Sequence, residues 1–209
     1  MKILFQGDSI TEAFRKPEEI NPAFQLGNGY AFLVAATLGR AHPGRFEFLN
    51  RGVSGDTVPR LAARWQQDAL DLKPDVLSLL VGVNDTAVSM RGNAGEADSR
   101  FADDYRNLLA TAREANPAIG LILVEPFVTD VEGCTDGWRP NLLARQLAIA
   151  EIAREFGAVF VPVQSALDAA LASAPPAYWA YDGVHLTHAG FHILADAWLQ
   201  AAGPVLGIK

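Results

Sequence analysis

The stretch Lys2-Ile3-Leu4-Phe5-Gln6-Gly7-Asp8-Ser9-Ile10-Thr11 passes from an apolar run into a small polar turn. A strand that stops at a glycine and presents a serine at the strand-to-helix turn holds a hydroxyl exposed above a sheet. Four further apolar runs follow at Phe46–Asn50, Val76–Val81, Ile119–Glu125 and Ala158–Val163. Continuous Val, Ile, Leu and Phe of this kind suits strands covered on both faces. Helix-period segments alternate with them at Tyr30–Gly39, Pro59–Leu72, Arg100–Ala115, Pro140–Phe156, Gln164–Ala172 and Thr187–Ala202. Thr187 is placed to cap the last of these, and Thr57 with Pro59 reads as a helix entry. Lys73-Pro74 and Asn116-Pro117 stop helices just before the next strand. The alternation predicts an α/β fold: a central five-stranded parallel sheet with right-handed crossovers, sandwiched by helices. No repeat, low-complexity tract or linker interrupts residues 1–209, which read as a single domain. Ser89–Asp98, with Gly92, Asn93 and Gly95, reads as a mobile loop.

At 209 residues, half of them apolar, the chain can bury a substantial core. No uninterrupted apolar twenty-mer occurs, so a membrane span is not expected. The N-terminus leads straight into a strand without a leader pattern, and a cytoplasmic location is expected. Cys134, the lone cysteine, cannot form an internal disulfide, which agrees with a reducing compartment. The formal charge of −7 argues against nucleic acid or anionic lipid and favours a neutral or cationic ligand.

In an open parallel sheet, ligands bind beyond the carboxyl ends of the strands. Gly7-Asp8-Ser9 follows the first strand, Asn50 to Thr57 the second, and Gly82-Val83-Asn84-Asp85 the third. Asp182-Gly183-Val184-His185 falls after the fifth strand and its helix. Ser9 is the candidate nucleophile, and its hydroxyl needs a neighbouring base to attack a carbonyl. His185 is the candidate base, as histidine exchanges protons near neutral pH. Asp182 would orient it through the other ring nitrogen. The amides of Ser9 and Gly55 and the side chain of Asn84 could bind the oxyanion. Loss of one such donor typically costs about 3–4 kcal/mol.

The blocks Gly7-Asp8-Ser9, Gly55, Gly82-Val83-Asn84-Asp85 and Asp182-Gly183-Val184-His185 resemble, in order, the four signature blocks of the SGNH hydrolases, or GDSL-type esterases. The resemblance implies a three-layer α/β/α sandwich, flavodoxin-like, with the Ser, Gly and Asn supplying the oxyanion hole. Leu26 to Tyr30, Asn50 to Thr57, Arg64 to Asp68, Glu125-Pro126-Phe127 and Trp179 to His185 are similar to the intracellular acetylxylan esterase branch. That branch implies removal of acetyl groups from xylo-oligosaccharides with no metal or other cofactor, and assembly as a homo-oligomer.

Other readings compete at several positions. Asp8 suits a structural cap, and Ser9 alone would too. Ser54 is a rival nucleophile, but Gly52-Val53-Ser54-Gly55-Asp56 fails the Gly-x-Ser-x-Gly pattern at its fifth position. Asp85 is expected to cap the segment that follows it. His188 and His192 share a helical face with His185, too few ligands for a zinc site; His42 is expected in solvent. Trp179 and Tyr181, flanking the Asp–His pair, are substrate-binding candidates by sugar stacking, with core packing the alternative there and for Trp138. Trp65, with Arg64, is expected to pack or meet another subunit. A lysophospholipid or acyl thioester substrate would want a long apolar groove, and a non-catalytic anion-binding rim would want a glycine-rich phosphate loop. Neither is found in the sequence.

Overall fold

The computed structural model describes residues 1–93 and 95–208. Among these, β1 (Lys2–Gly7), β2 (Glu47–Asn50), β3 (Val76–Leu80), β4 (Gly120–Val124) and β5 (Val159–Val161) form one parallel sheet in the order β2-β1-β3-β4-β5. The register sets Phe5 beside Asn50 on one side and Ser78 on the other. The α/β/α sandwich expected from the sequence is therefore the observed architecture, each strand ending within two residues of its expected limit.

Helices are interleaved with the strands. They are α1 (Ser9–Glu12), α2 (Pro22–Gln25), α3 (Tyr30–Ala41), α4 (Val58–Ala63), α5 (Trp65–Asp68), α6 (Val83–Val88), α7 (Gly95–Ala115), α8 (Trp138–Glu155), α9 (Gln164–Ala170), α10 (Pro176–Trp179) and α11 (His188–Leu206). Alternate strand residues feed two cores because side chains point to opposite faces. Ile3, Phe5, Ile122 and Val124 pack with Tyr30, Leu194 and Trp198 of α3 and α11. Leu4, Leu77, Leu79 and Leu123 pack with Leu61, Tyr105, Leu109 and Ile149 of α4, α7 and α8. Full burial of one such Leu or Ile side chain stabilises the fold by about 1.5–3 kcal/mol. Trp198 lies under the sheet centre against Phe5, and its indole N–H donates to Ser78 Oγ at 2.9 Å.

Three expectations are corrected. The continuous helix read over Pro59–Leu72 is α4, α5 and a 3₁₀ turn at Leu70–Leu72. It breaks at Arg64 (φ −114°, ψ 5°), whose guanidinium is drawn toward the sheet. Ser89–Asp98 is mostly helical rather than a loop: Ser89–Asn93 is a wide turn kinked at Gly92 (φ +77°, ψ 12°) and Gly95 opens α7, with Ala94 outside the described residues. Thr57 occupies the cap position of α4 but makes no side-chain bond there.

Candidate active site

The strand order reverses direction beside β1, and this is where α/β sheets open a crevice at the carboxyl ends of their strands. β1 ends at Gly7 with φ +154°, where a Cβ would stand 2.1 Å from the Leu80 carbonyl oxygen. Only glycine lets β1 and β3 close this tightly. Asp8 then caps α1, its Oδ1 accepting from Ile10 N–H at 3.0 Å. Ser9 stands half-buried at the first position of that single turn, which Ala13 and Phe14 end at φ +43° and +59°.

Ser9 Oγ lies 2.9 Å from His185 Nε2, and His185 Nδ1 lies 2.7 Å from Asp182 Oδ2. The other carboxylate oxygen of Asp182 accepts from the backbone N–H groups of His185 (2.7 Å) and Val184 (3.0 Å). Burial pushes the Asp182 carboxyl up, but the bonds from the His185 backbone and ring and from Val184 N–H outweigh it. The net position is below the ordinary range, so the carboxylate stays charged. Asp8 goes the other way. Complete burial pushes it up to about 7, against the Ile10 N–H and with help from Asp85 and Asp56. Its Oδ2 is buried without a partner among the described residues.

The oxyanion candidates gather on the same rim. Gly55 turns at φ +80°, and Asn84 Nδ2 donates to Asp56 O at 3.0 Å, tying the β3 end to the Gly55 turn. Gly55 and Asn84 share a cavity of about 490 Å³ bordered by Arg60 and Arg91. A larger cavity, of about 710 Å³, lies at the opposite end of the sheet beside Asp75 and Asn116. There Asp75 accepts from Lys2 N–H and Asn116 donates to Pro74 O. Among the described residues no serine or histidine lines it.

The flanking aromatics differ. Tyr181 is exposed and stacks on the His185 ring with centroids 5.8 Å apart. Trp179 is half-buried, its indole N–H donating to Ala174 O, and Trp138 is half-buried against the core. Asp85 caps not its own segment but α4, accepting from Val58 N–H at 3.2 Å. His42 is half-buried edge-on to Phe46 rather than in solvent. His188 and His192 are exposed, and among the described residues no group of three His, Cys, Asp or Glu is arranged for a metal ion. Trp65 packs as expected, donating to Thr111 Oγ1.

Two supports were missed in the sequence. Arg64 binds Asp56 at 2.7 Å, Asp68 at 3.1 Å, Gln6 Oε1 at 2.8 Å and Arg51 O at 2.8 Å, bracing the floor below Ser9. The segment after β4 braces the other partner: Thr129 N–H donates to Gly183 O at 2.8 Å, and Thr135 Oγ1 to Thr129 O at 2.7 Å. Arg64 lies fifty-eight residues from Gln6, and Thr129 fifty-four from Gly183, so no local spacing announces either of these contacts.

A strand-end serine bonded to a histidine–aspartate pair on a 2-1-3-4-5 parallel sheet defines a class of serine hydrolase. The chain belongs to the GDSL-like lipase/acylhydrolase family, whose profile matches residues 5–193, and it is a serine-dependent carboxylic ester hydrolase. It is 35% identical to an acetylxylan esterase of Geobacillus stearothermophilus over 97% of this chain and 94% of that protein. The crystal structure of Axe2, an acetylxylan esterase of that organism, superposes with a TM-score of 0.83 at 34% identity, covering 100% of this chain and 94% of the other. Structures of Axe2 include catalytic mutants in which a serine or an aspartate is replaced by alanine. A GDSL-like lipase candidate from Parabacteroides merdae matches at TM-score 0.90 and 36% identity, over 97% and 95% of the two chains. Among the described residues no helix is long and apolar enough to cross a membrane.

Proposed function

We propose that this chain removes acetyl groups from acetylated carbohydrates, xylo-oligosaccharides in particular, through a Ser9–His185–Asp182 triad. The observation that carries this reading is the unbroken chain of 2.9 Å and 2.7 Å hydrogen bonds from Ser9 through His185 to Asp182. The acetylxylan esterase of Geobacillus, similar along nearly its whole length, supports the substrate class.

With Nδ1–H donating to Asp182, Nε2 of His185 is free to take the Ser9 proton as Oγ attacks the acetyl carbonyl. Negative charge then collects on the former carbonyl oxygen. The Ser9 and Gly55 amides and the Asn84 amide are its donors, each worth about a hundred- to a thousandfold in rate. Collapse breaks the bond to the sugar oxygen, which leaves with the proton held on His185. A water, deprotonated by the same nitrogen, releases acetate and restores Ser9. Tyr181, exposed beside His185, offers a ring face to a sugar.

The decisive assay is acetate release from acetylated xylo-oligosaccharides and from p-nitrophenyl acetate by wild type and Ser9→Ala. Equal rates in the two proteins would refute the triad. An octanoyl ester cleaved far faster than the acetyl ester would move the substrate to lipid or thioester.

A further inference from the structure

Resting on the esterase reading, we propose that the cavity beside Gly55 and Asn84 is a subsite for a carboxylate-bearing sugar unit, a uronic acid, held by Arg60 and Arg91. The cavity, of about 490 Å³, has room for a monosaccharide, and it opens directly off two of the oxyanion donors. Both arginines are exposed at its edge, and among the described residues neither has a carboxylate within ion-pair distance. Among the described residues Arg60 is engaged only by the Gly55 carbonyl, at 3.2 Å, which parks its guanidinium against the oxyanion turn. Arg91 is carried there by the kinked turn Ser89–Asn93, the segment whose sequence reads as a loop.

Of the acids nearby, Asp56 is paired with Arg64, and Asp85, which also lines the cavity, accepts from the Val58 amide on α4, leaving one carboxylate against two guanidiniums there. Two guanidiniums on one cavity with no ion-pair partner among the described residues stand out in a chain with 17 basic and 24 acidic residues. The overall charge of −7 favours neutral or cationic ligands, but contacts inside a cleft answer to the local field. A guanidinium pair presents planar, forked donors that fit a carboxylate in two-point fashion.

The test compares an acetylated xylo-oligosaccharide carrying a glucuronic acid branch with the same oligosaccharide after reduction of that carboxylate to the alcohol. The ratio of kcat/KM, charged over reduced, should be about five- to tenfold in low salt and shrink toward one as salt rises. Arg60→Gln or Arg91→Gln should lower the ratio, and Arg91→Glu should take it below one; Arg91→Lys should retain part of it. The ratio cancels any general change in turnover. A wild-type ratio of one, or a ratio that Arg91→Glu leaves alone, overturns the subsite. Calorimetric titration of both oligosaccharides into Ser9→Ala reads the same contacts without turnover. Equal affinities there overturn the subsite, whereas undiminished hydrolysis by Ser9→Ala overturns the triad and leaves the affinity difference to decide the arginines.

Discussion

Ser9 and His185 meet at 2.9 Å, yet the turns that carry them are built on different principles. The Ser9 turn grows out of β1, an interior strand of the sheet. Gly7 is wedged against Leu80, Asp8 is wholly buried, and Arg64 ties Gln6 and Asp56 together underneath. The His185 turn has no strand beneath it. It spans α10 and α11, closes through the Ala180–Leu186 bridge, and takes its outer support from Thr129 and Thr135 on a separate segment. The side chains of His185 and Asp182 remain 40% and 32% exposed. Ser9, the proposed nucleophile, is thus held by the sheet itself, whereas His185, the proposed base, depends on a brace from another segment. Damage to the first should appear as lost stability and damage to the second as lost rate.

The largest effect expected is on chemistry alone. His185→Ala should lower kcat/KM by about ten-thousandfold while leaving the unfolding midpoint nearly unchanged, measured by ester hydrolysis and urea titration. Gly7→Ala should do the reverse, costing about 4 kcal/mol of unfolding free energy, since its Cβ would overlap the Leu80 carbonyl oxygen. Retained stability in that variant would show that the Gly7–Leu80 approach does not hold the Ser9 turn. Gly183→Ala, at φ +85° with a Cβ position 2.6 Å from Thr129 O, should slow kcat about a hundredfold. Its stability loss should stay near 1–2 kcal/mol. Thr135→Val should lower kcat about tenfold with KM unaltered, as the carbonyl of Thr129 loses its donor, and Thr135→Ser should recover it.

The smallest effect is one of pH. Asp8 holds its proton up to about pH 7 in the folded chain but gives it up near 3.8 when unfolded. Between those values the native state binds the extra proton, so stability present at low pH is lost as pH rises through that window and levels off above it. Denaturant titrations should show a fall of about 1 kcal/mol from pH 5.5 to 6.5, and Asp8→Asn should flatten it. Asp182 has the opposite sign. Its carboxyl is held below the ordinary range, so its contribution is present above the unfolded value and lost as pH falls through the folded one.

The same contrast explains what could be read from the sequence. The strands were legible because each is a short run of Val, Ile, Leu and Phe, and burial on both faces leaves that signature. The Thr187 cap was legible because capping is local, and its hydroxyl accepts from Gly190 N–H as the pattern implies. Ser9, Gly55, Asn84, Asp182 and His185 were nameable because each sits at a strand end or in a short turn motif. The break of a helix at Arg64 was not legible. Helix propensity favours continuation there, and what overrides it is a bond to Gln6, fifty-eight residues away. Asp85 and Thr129 were obscure for the same reason, each bonding a backbone group on another element.

One feature of the architecture governs when this site comes into being. The hydroxyl of Ser9 and the imidazole of His185 are separated by 176 positions, and α11, just beyond the histidine, must slot Trp198 against Phe5. During synthesis the proposed attacking hydroxyl emerges 176 residues ahead of its proposed proton acceptor. On that reading hydrolysis waits for α11 to dock, and its regain after dilution from denaturant should coincide with the arrival of Trp198 fluorescence at its native value.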